Sequence, residues 1–229
     1  MARDEFGWMP AGLVFDCDGV LADTGDGWLI AERAVCSAYG VDPEHADRTD
    51  TRGVSMAASV RLLVPHLTSE SQTRDAQELL IETARECVAQ SVIALPGVVD
   101  LIREAVEVIP VGVASNAPTR VLEPVLDAIG VAPFLTFALG ADQVAVPKPA
   151  PDLYLAAARR VGAPAHRTLV IEDSSTGIAA ARAAGCRVLQ VLGTGAERQS
   201  AADGWLHGLD LPFGEVLAAV GAAGPSAQR

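Results

Sequence analysis

Two aspartates one residue apart close the apolar run Leu13-Val14-Phe15, in the order Phe15-Asp16-Cys17-Asp18-Gly19. Residues i and i+2 of a strand point to the same side, so Asp16 and Asp18 can converge on one small volume. Carboxylates that close repel and shift each other's pKa. Two arrangements stabilise such a pair. One is a hard cation with oxygen ligands, typically Mg²⁺; the other is a division of labour, with one Asp as nucleophile and the other as proton shuttle. Gly19 lets the backbone turn sharply where a side chain would obstruct. The same segment also reads as a plain strand-to-loop turn with Asp as a turn former.

Three further places offer groups that would serve such a pair. Of the 17 Lys and Arg residues, a single one, Lys148, is lysine. A chain that elsewhere supplies positive charge as Arg has kept Lys where a compact ammonium is needed and a planar guanidinium does not fit. Pro147 and Pro149 stiffen the backbone on both sides, although a lone Lys between prolines also suits an exposed loop. Ser115-Asn116 follows Val111-Gly112-Val113-Ala114 and can donate hydrogen bonds to an oxyanion, or cap a helix ahead of Pro118. Glu172-Asp173 follows Leu169-Val170-Ile171 and adds two carboxylates, which a helix start would also favour through its dipole.

The elements that must bring these residues together can be read from periodicity. Trp28, Ala31, Val35 and Ala38/Tyr39 follow a helical period, as do Ala76, Leu79, Leu80, Thr83, Cys87 and Val88. The segment 54–64 also suits a helix, and no strand is expected from 25 to 92. Helices at 97–106, 118–129, 151–162 and 175–184 then alternate with strands at 108–114, 134–139, 168–172 and 186–192. Such alternation predicts an α/β fold, a Rossmann-like doubly wound parallel sheet. The expected organisation is a discontinuous core, residues 1–24 and 93–229, with an inserted all-helical cap of four-helix type at residues 25–92. In open α/β sheets ligands bind beyond the carboxyl ends of the strands. The acidic pairs and Ser115-Asn116 lie at such ends, and Lys148 lies in the loop before the 151–162 helix. Gly25 and Gly27 on one side and Pro96-Gly97 on the other bracket the insert and predict mobile links for a closing lid. The Ala/Gly-rich tail after about 220 reads as disordered.

Composition narrows the partners. Half the residues are apolar and 20% are charged, enough for a sizeable core and too little charge for disorder. A formal net charge of −12 argues against nucleic acid, whose binding draws on Lys and Arg. No basic cluster suggests a membrane surface, the N-terminal stretch lacks the apolar core of a signal peptide, and no stretch approaches a membrane span. Cys17, Cys36, Cys87 and Cys186 are scattered without CxxC spacing, so neither zinc nor a disulfide framework is indicated. A cytoplasmic location with reduced cysteines is expected, as a monomer or small homo-oligomer. His45, His66, His166 and His207 are scattered and read as surface or loop residues.

Asp16-Cys17-Asp18-Gly19-Val20-Leu21-Ala22-Asp23-Thr24 resembles the first motif of the haloacid dehalogenase superfamily of phosphotransferases, in the branch of β-phosphoglucomutase-like and small sugar phosphatase enzymes. Lys148-Pro149-Ala150-Pro151-Asp152 and Ile171-Glu172-Asp173-Ser174-Ser175-Thr176-Gly177-Ile178 resemble its later motifs. The resemblance implies that Asp16 attacks phosphorus to form an aspartyl-phosphate, and that Asp18 protonates the leaving oxygen and then activates water. It implies Mg²⁺ on the Asp16 carboxylate, the Asp18 carbonyl and Asp173, with Glu172 adjacent. Lys148 would balance the nucleophile and phosphoryl oxygens, and Ser115 with the Asn116 region would donate to those oxygens. Asp23 resembles a position that supports the site.

The resemblance also sorts the branches. True haloacid dehalogenases lack a second Asp like Asp18, and phosphonatases need a lid lysine that residues 25–92 do not contain. β-Phosphoglucomutase grips its sugar phosphate with a lid Arg near a segment similar to Arg52-Gly53-Val54-Ser55, and with a His. Here the matching positions are Met56 and Trp28, so a phosphatase is favoured over a mutase. Arg52 remains a candidate contact for a phosphate or polar substrate. Trp28 suits either plain core or the face of a sugar, as in some hexose and hexitol phosphatases. The expected activity is Mg²⁺-dependent hydrolysis of a small phosphorylated metabolite such as a sugar or polyol phosphate. A phosphosugar mutase and a non-catalytic module binding a phosphorylated ligand are the alternatives.

Overall fold

The structure, a computed structural model, describes residues 8–193 and 195–221. Strand β1 (Gly12–Phe15) is buried throughout. Leu13 and Phe15 join one hydrophobic cluster and Val14 the other, so a period of two feeds cores on both faces of one sheet. The chain then passes through β2 (Ala22–Asp23) into α1 (Gly25–Ala38), a 3₁₀ turn at Pro43–Arg48, α2 (Met56–Leu63) and α3 (Glu70–Ser91), and returns on β3 (Ile93–Ala94). Ala31, Val35, Val60, Ala76, Leu80, Ala84 and Val88 are buried in one cluster. Of the periodic positions read from the sequence, Ala31, Val35, Ala76, Leu80 and Val88 are buried, whereas Leu79, Thr83 and Cys87 are half-buried and Ala84 takes a core place instead. Ser55 and Ser69 cap α2 and α3 by accepting the Ala58 and Gln72 N–H groups.

Alternation follows: α4 (Val98–Val106), β4 (Val111–Ser115), α5 (Thr119–Ala128), β5 (Phe137–Gly140), α6 (Asp152–Arg160), β6 (Thr168–Glu172), α7 (Ser175–Ala183), β7 (Arg187–Val191), β8 (Gly204–Leu206) and α8 (Phe213–Gly221). The sheet runs β5-β4-β1-β6-β7-β8 and every pairing in it is parallel. Strand β1 is flanked by β4 and β6, with Phe15 opposite Val113 and Ile171. The carboxyl ends of these three strands therefore stand side by side.

Several boundaries differ from the sequence reading. Strand β4 starts at Val111 rather than 108 because the N–H groups of Val108 and Ile109 still bond the Ala105 carbonyl. Strand β5 starts at Phe137 because Ala132–Phe134 forms a 3₁₀ turn. The short strands β2 and β3 pair antiparallel where the chain leaves and re-enters the sheet region. They lie just outside the stretch read as strand-free, and two residues carry no alternation to detect. Strand β8 and helix α8 were not anticipated. The tail read as disordered and the first seven residues lie outside the described residues, apart from the last turn of α8.

The glycines read as mobile links have other roles. Gly25 and Gly27 lie inside α1. A Cβ on Gly27 would sit 2.5 Å from the Val88 Cα, so this glycine lets α1 and α3 approach closely. Gly97 precedes α4 at φ +78°, and a Cβ there would meet the Asp210 backbone at 2.2 Å. Gly27 and Gly97 are therefore also points of close packing.

Candidate active site

The loop after β1 is a tight turn. The Cys17 carbonyl accepts from Val20, Leu21 and Ala22, and Gly19 at φ +78° donates to the Ala22 carbonyl at 2.9 Å. A Cβ on Gly19 would fall 2.3 Å from Oδ2 of Asp173, so only glycine lets the β1 and β6 loops come this close. Asp16, 7% exposed, continues the ladder by donating its N–H to the Ile171 carbonyl.

Lys148 reaches this point from the loop before α6. Its Nζ donates to Asp16 Oδ1 and to Glu172 Oε1, both at 2.7 Å. It lies 4.8 Å from the centroid of the Tyr154 ring. Asn116 holds the loop, accepting the Lys148 N–H at 3.0 Å and donating Nδ2 to the Lys148 carbonyl at 3.2 Å. The Tyr154 hydroxyl also donates to Glu172 Oε1, at 2.7 Å. Glu172 Oε2 accepts the N–H groups of Asp173 and Ser174 and the Ser174 hydroxyl. Both Glu172 oxygens are thus engaged. The other oxygen of Asp16, Oδ2, takes no hydrogen bond among the described residues.

Electrostatics follow from this packing. Burial opposes the Lys148 charge, but Asp16 and Glu172 on either side overcome it and hold the ammonium protonated above its usual range. Burial likewise opposes the Glu172 charge, yet Lys148 and the donors around it keep that carboxyl below its ordinary value. Asp16 is raised by burial, relieved in part by Lys148 and raised further by the neighbouring acids. Asp173 is pushed up to about 7 by burial and by Glu172. One oxygen from each of Asp16, Glu172 and Asp173 lies within 4.8 Å of the others. An all-oxygen donor set with excess negative charge fits a hard cation such as Mg²⁺.

Asp18 is held by three donors. Oδ1 accepts from the Thr24 hydroxyl and from Trp28 Nε1, the latter at 2.9 Å, and Oδ2 accepts from Ser115 Oγ at 3.2 Å. The Ser115 hydroxyl, expected on a phosphoryl oxygen, is here turned to Asp18. Asn116 positions the Lys148 loop and also reaches the Gly53 carbonyl of the helical insert at 3.4 Å.

These residues open on a cavity of about 550 Å³ between the strand ends and the insert. Asp16, Asp18, Gly19, Ser115, Asn116, Lys148 and Asp173 line its floor; Trp28 and Arg52 line its far side. Arg52 is mostly in solvent and paired with Asp50 at 2.9 Å. Trp28 is therefore more than core, since its indole N–H is spent on Asp18. None of the four histidines lines the cavity. Three contributors escaped the sequence reading. Thr24 ends the first motif and Tyr154 follows Lys148 by six residues, so proximity was a usable signal. Glu32 of α1, buried in the cavity wall and bonded by the Thr51 hydroxyl, sits at one polar position on an otherwise apolar helix face.

Comparison with known proteins agrees with this geometry. A profile of the haloacid dehalogenase-like hydrolases matches residues 10–185. The fructose-1-phosphate phosphatase YqaB of Escherichia coli K12 is 29% identical over 189 residues, covering 79% of this chain and 96% of its own. The phosphoglycolate phosphatase of the same strain is 27% identical over 197 residues, covering 76% and 78%. Among solved structures, CbbY from Rhodobacter sphaeroides in complex with phosphate superposes with a TM-score of 0.74 at 27% identity, covering 88% of this chain and 96% of that one. The chain belongs to the haloacid dehalogenase-like hydrolases.

Proposed function

We propose that the protein hydrolyses a small sugar or polyol phosphate through an aspartyl-phosphate on Asp16, with Mg²⁺ as cofactor. The observation that carries this reading is the pairing of Asp16 Oδ1 with Lys148 Nζ at 2.7 Å while Oδ2 has no partner among the described residues. One oxygen is anchored and the other is left for attack. Mg²⁺ would be held by the carboxylates of Asp16 and Asp173 and by the Asp18 carbonyl. Once bound, it offsets the negative charge of these groups and of the phosphate oxygens. Glu172, with both oxygens taken, serves chiefly to seat Lys148 and the loop carrying Asp173.

Asp16 Oδ2 attacks phosphorus as the bond to the alcohol oxygen breaks, and Asp18 gives that oxygen its proton. In the second half Asp18 takes a proton from water, whose oxygen attacks phosphorus and releases phosphate and free Asp16. Thr24, Trp28 and Ser115 fix the direction in which Asp18 presents its proton. Lys148 offsets part of the burial that opposes the Asp16 charge and faces the transferred group from one side. A phosphosugar mutase would require a grip on a second phosphate in the insert, and Met56 and Trp28 occupy the positions where the resemblance expects one.

Phosphate release from a panel of phosphorylated metabolites tests the reading. Wild-type protein should turn over with Mg²⁺ and lose activity with chelator, and Asp16→Asn should be inactive. Asp18→Asn, given acetyl phosphate, should accumulate a phosphoryl adduct on Asp16 detectable by intact mass. Phosphate release surviving in Asp16→Asn removes that residue from its role.

A further inference from the structure

The cavity is acidic beyond its floor as well as at it. Glu32, Asp47, Asp50 and Asp23 all line its far wall. Arg52 is the one basic residue lining that wall among the described residues, and its guanidinium is committed to Asp50 by two hydrogen bonds. At the floor, Lys148 is committed to Asp16 and Glu172. Among the described residues lining the cavity, both cations are thus paired with carboxylates; Asp47 is paired with Arg33 at 2.6 Å, so the uncompensated charge of the wall rests on Glu32 and Asp23.

Glu32 is the member of this wall that can read a substrate. It is 7% exposed, and Oε1 accepts from the Thr51 hydroxyl of the insert loop. Oε2 takes no hydrogen bond among the described residues, and none of their side-chain polar atoms is both sealed off and unpartnered. That oxygen therefore opens on the cavity. In the free protein water satisfies that oxygen; a substrate that displaces the water must replace its hydrogen bond, and a ligand hydroxyl is the group that does so. Leu29, Met56 and Leu80 add apolar surface to the same cavity, which suits the carbon skeleton of a polyol.

Building on the phosphatase reading, we infer that Glu32 is a specificity residue: its free oxygen accepts a hydroxyl at the non-phosphorylated end of the substrate, and the acidic wall around it rejects substrates with a second phosphate or a carboxylate there. Affinity and exclusion come from the same surface, since an acceptor that satisfies a hydroxyl repels an anion.

The test compares kcat/KM for four probes: fructose-1-phosphate, the corresponding fructose bisphosphate, phosphoglycolate, and acetyl phosphate, which has no hydroxylated end. Wild-type protein should prefer fructose-1-phosphate to the bisphosphate and to phosphoglycolate by more than about tenfold. In Glu32→Gln, shown folded by thermal unfolding, the ratio of kcat/KM for fructose-1-phosphate over acetyl phosphate should fall by about tenfold or more. The preference against the bisphosphate should shrink. Equal or better turnover of the acid-bearing probes by wild type overturns the inference without any variant being needed. So does a Glu32→Gln protein that keeps the wild-type ratios. If no probe releases phosphate, the phosphatase reading falls and this inference with it; turnover without discrimination overturns this inference alone.

Discussion

Lys148 is the residue whose loss the site can least absorb. Its ammonium stands between two carboxylates, and Asp16 and Glu172 would face each other across a buried gap without it. Removing one partner of a buried ionic cluster costs about 3–5 kcal/mol. Lys148→Met should therefore lower Tm clearly and cut phosphate release by about a hundredfold or more. Lys148→Arg is the sharper variant. A guanidinium is wider than the position between two acceptors at 2.7 Å and the Tyr154 ring. We expect Tm to recover in part and activity to stay low, by thermal unfolding and steady-state assay. Full activity in Lys148→Arg would show that charge alone is required. The rarity of lysine in the chain pointed to this position and the resemblance set it against the nucleophile Asp16, 132 residues away, while its second partner, Glu172, 24 residues away, was not read.

At the scale of elements, the insert is tied to the sheet by a clamp between helices. Arg120 of α5 donates to Glu78 and Glu82 of α3 at 2.5 to 2.8 Å. All three side chains are substantially exposed, so the clamp adds little to global stability. It bridges insert and core away from the cavity lining and so favours the arrangement in which the two are packed together. Arg120→Ala should raise KM severalfold with almost no change in Tm, and added salt should move the wild-type KM toward that of the variant. A salt-independent KM would rule the clamp out. Neither end of this contact was legible in the sequence, where nothing singles out Arg120, Glu78 or Glu82. The helices themselves were legible, because each buries a stripe with a period near 3.6, whereas β2, β3 and β8 were too short to show a period.

For the whole molecule, the cluster of acids makes folding depend on pH and on a cation together. With Asp173 pushed up to about 7, the folded protein holds a proton that the unfolded chain has lost, from the ordinary carboxylate range up to about pH 7. Stability therefore falls as pH rises through that window. Asp16 is shifted the same way; Glu172 is shifted oppositely, with its effect confined to more acid conditions. Mg²⁺ binds the deprotonated carboxylates, so it should raise Tm more at about pH 8 than at about pH 5.5. Asp173→Asn should abolish most of that difference. An equal Tm increment at both pH values, measured by thermal unfolding, would place the cation elsewhere.

What the sequence determined by itself was the chemistry and its scaffold. Carboxylates and a Ser-Asn pair at the ends of apolar runs announce strand ends, and a lone lysine between prolines announces a stiff loop, because backbone period and side-chain polarity are local properties. What only the tertiary structure decided was how those groups are shared. Asn116 turned out to hold the Lys148 loop, Ser115 and Trp28 to hold Asp18, and Glu172 to be saturated by Tyr154, Lys148 and its own loop. Glu32 entered the site only when α1 folded over it. Hydrogen bonds are allotted by distance and direction among residues up to more than a hundred positions apart, and no local pattern in the chain encodes that competition.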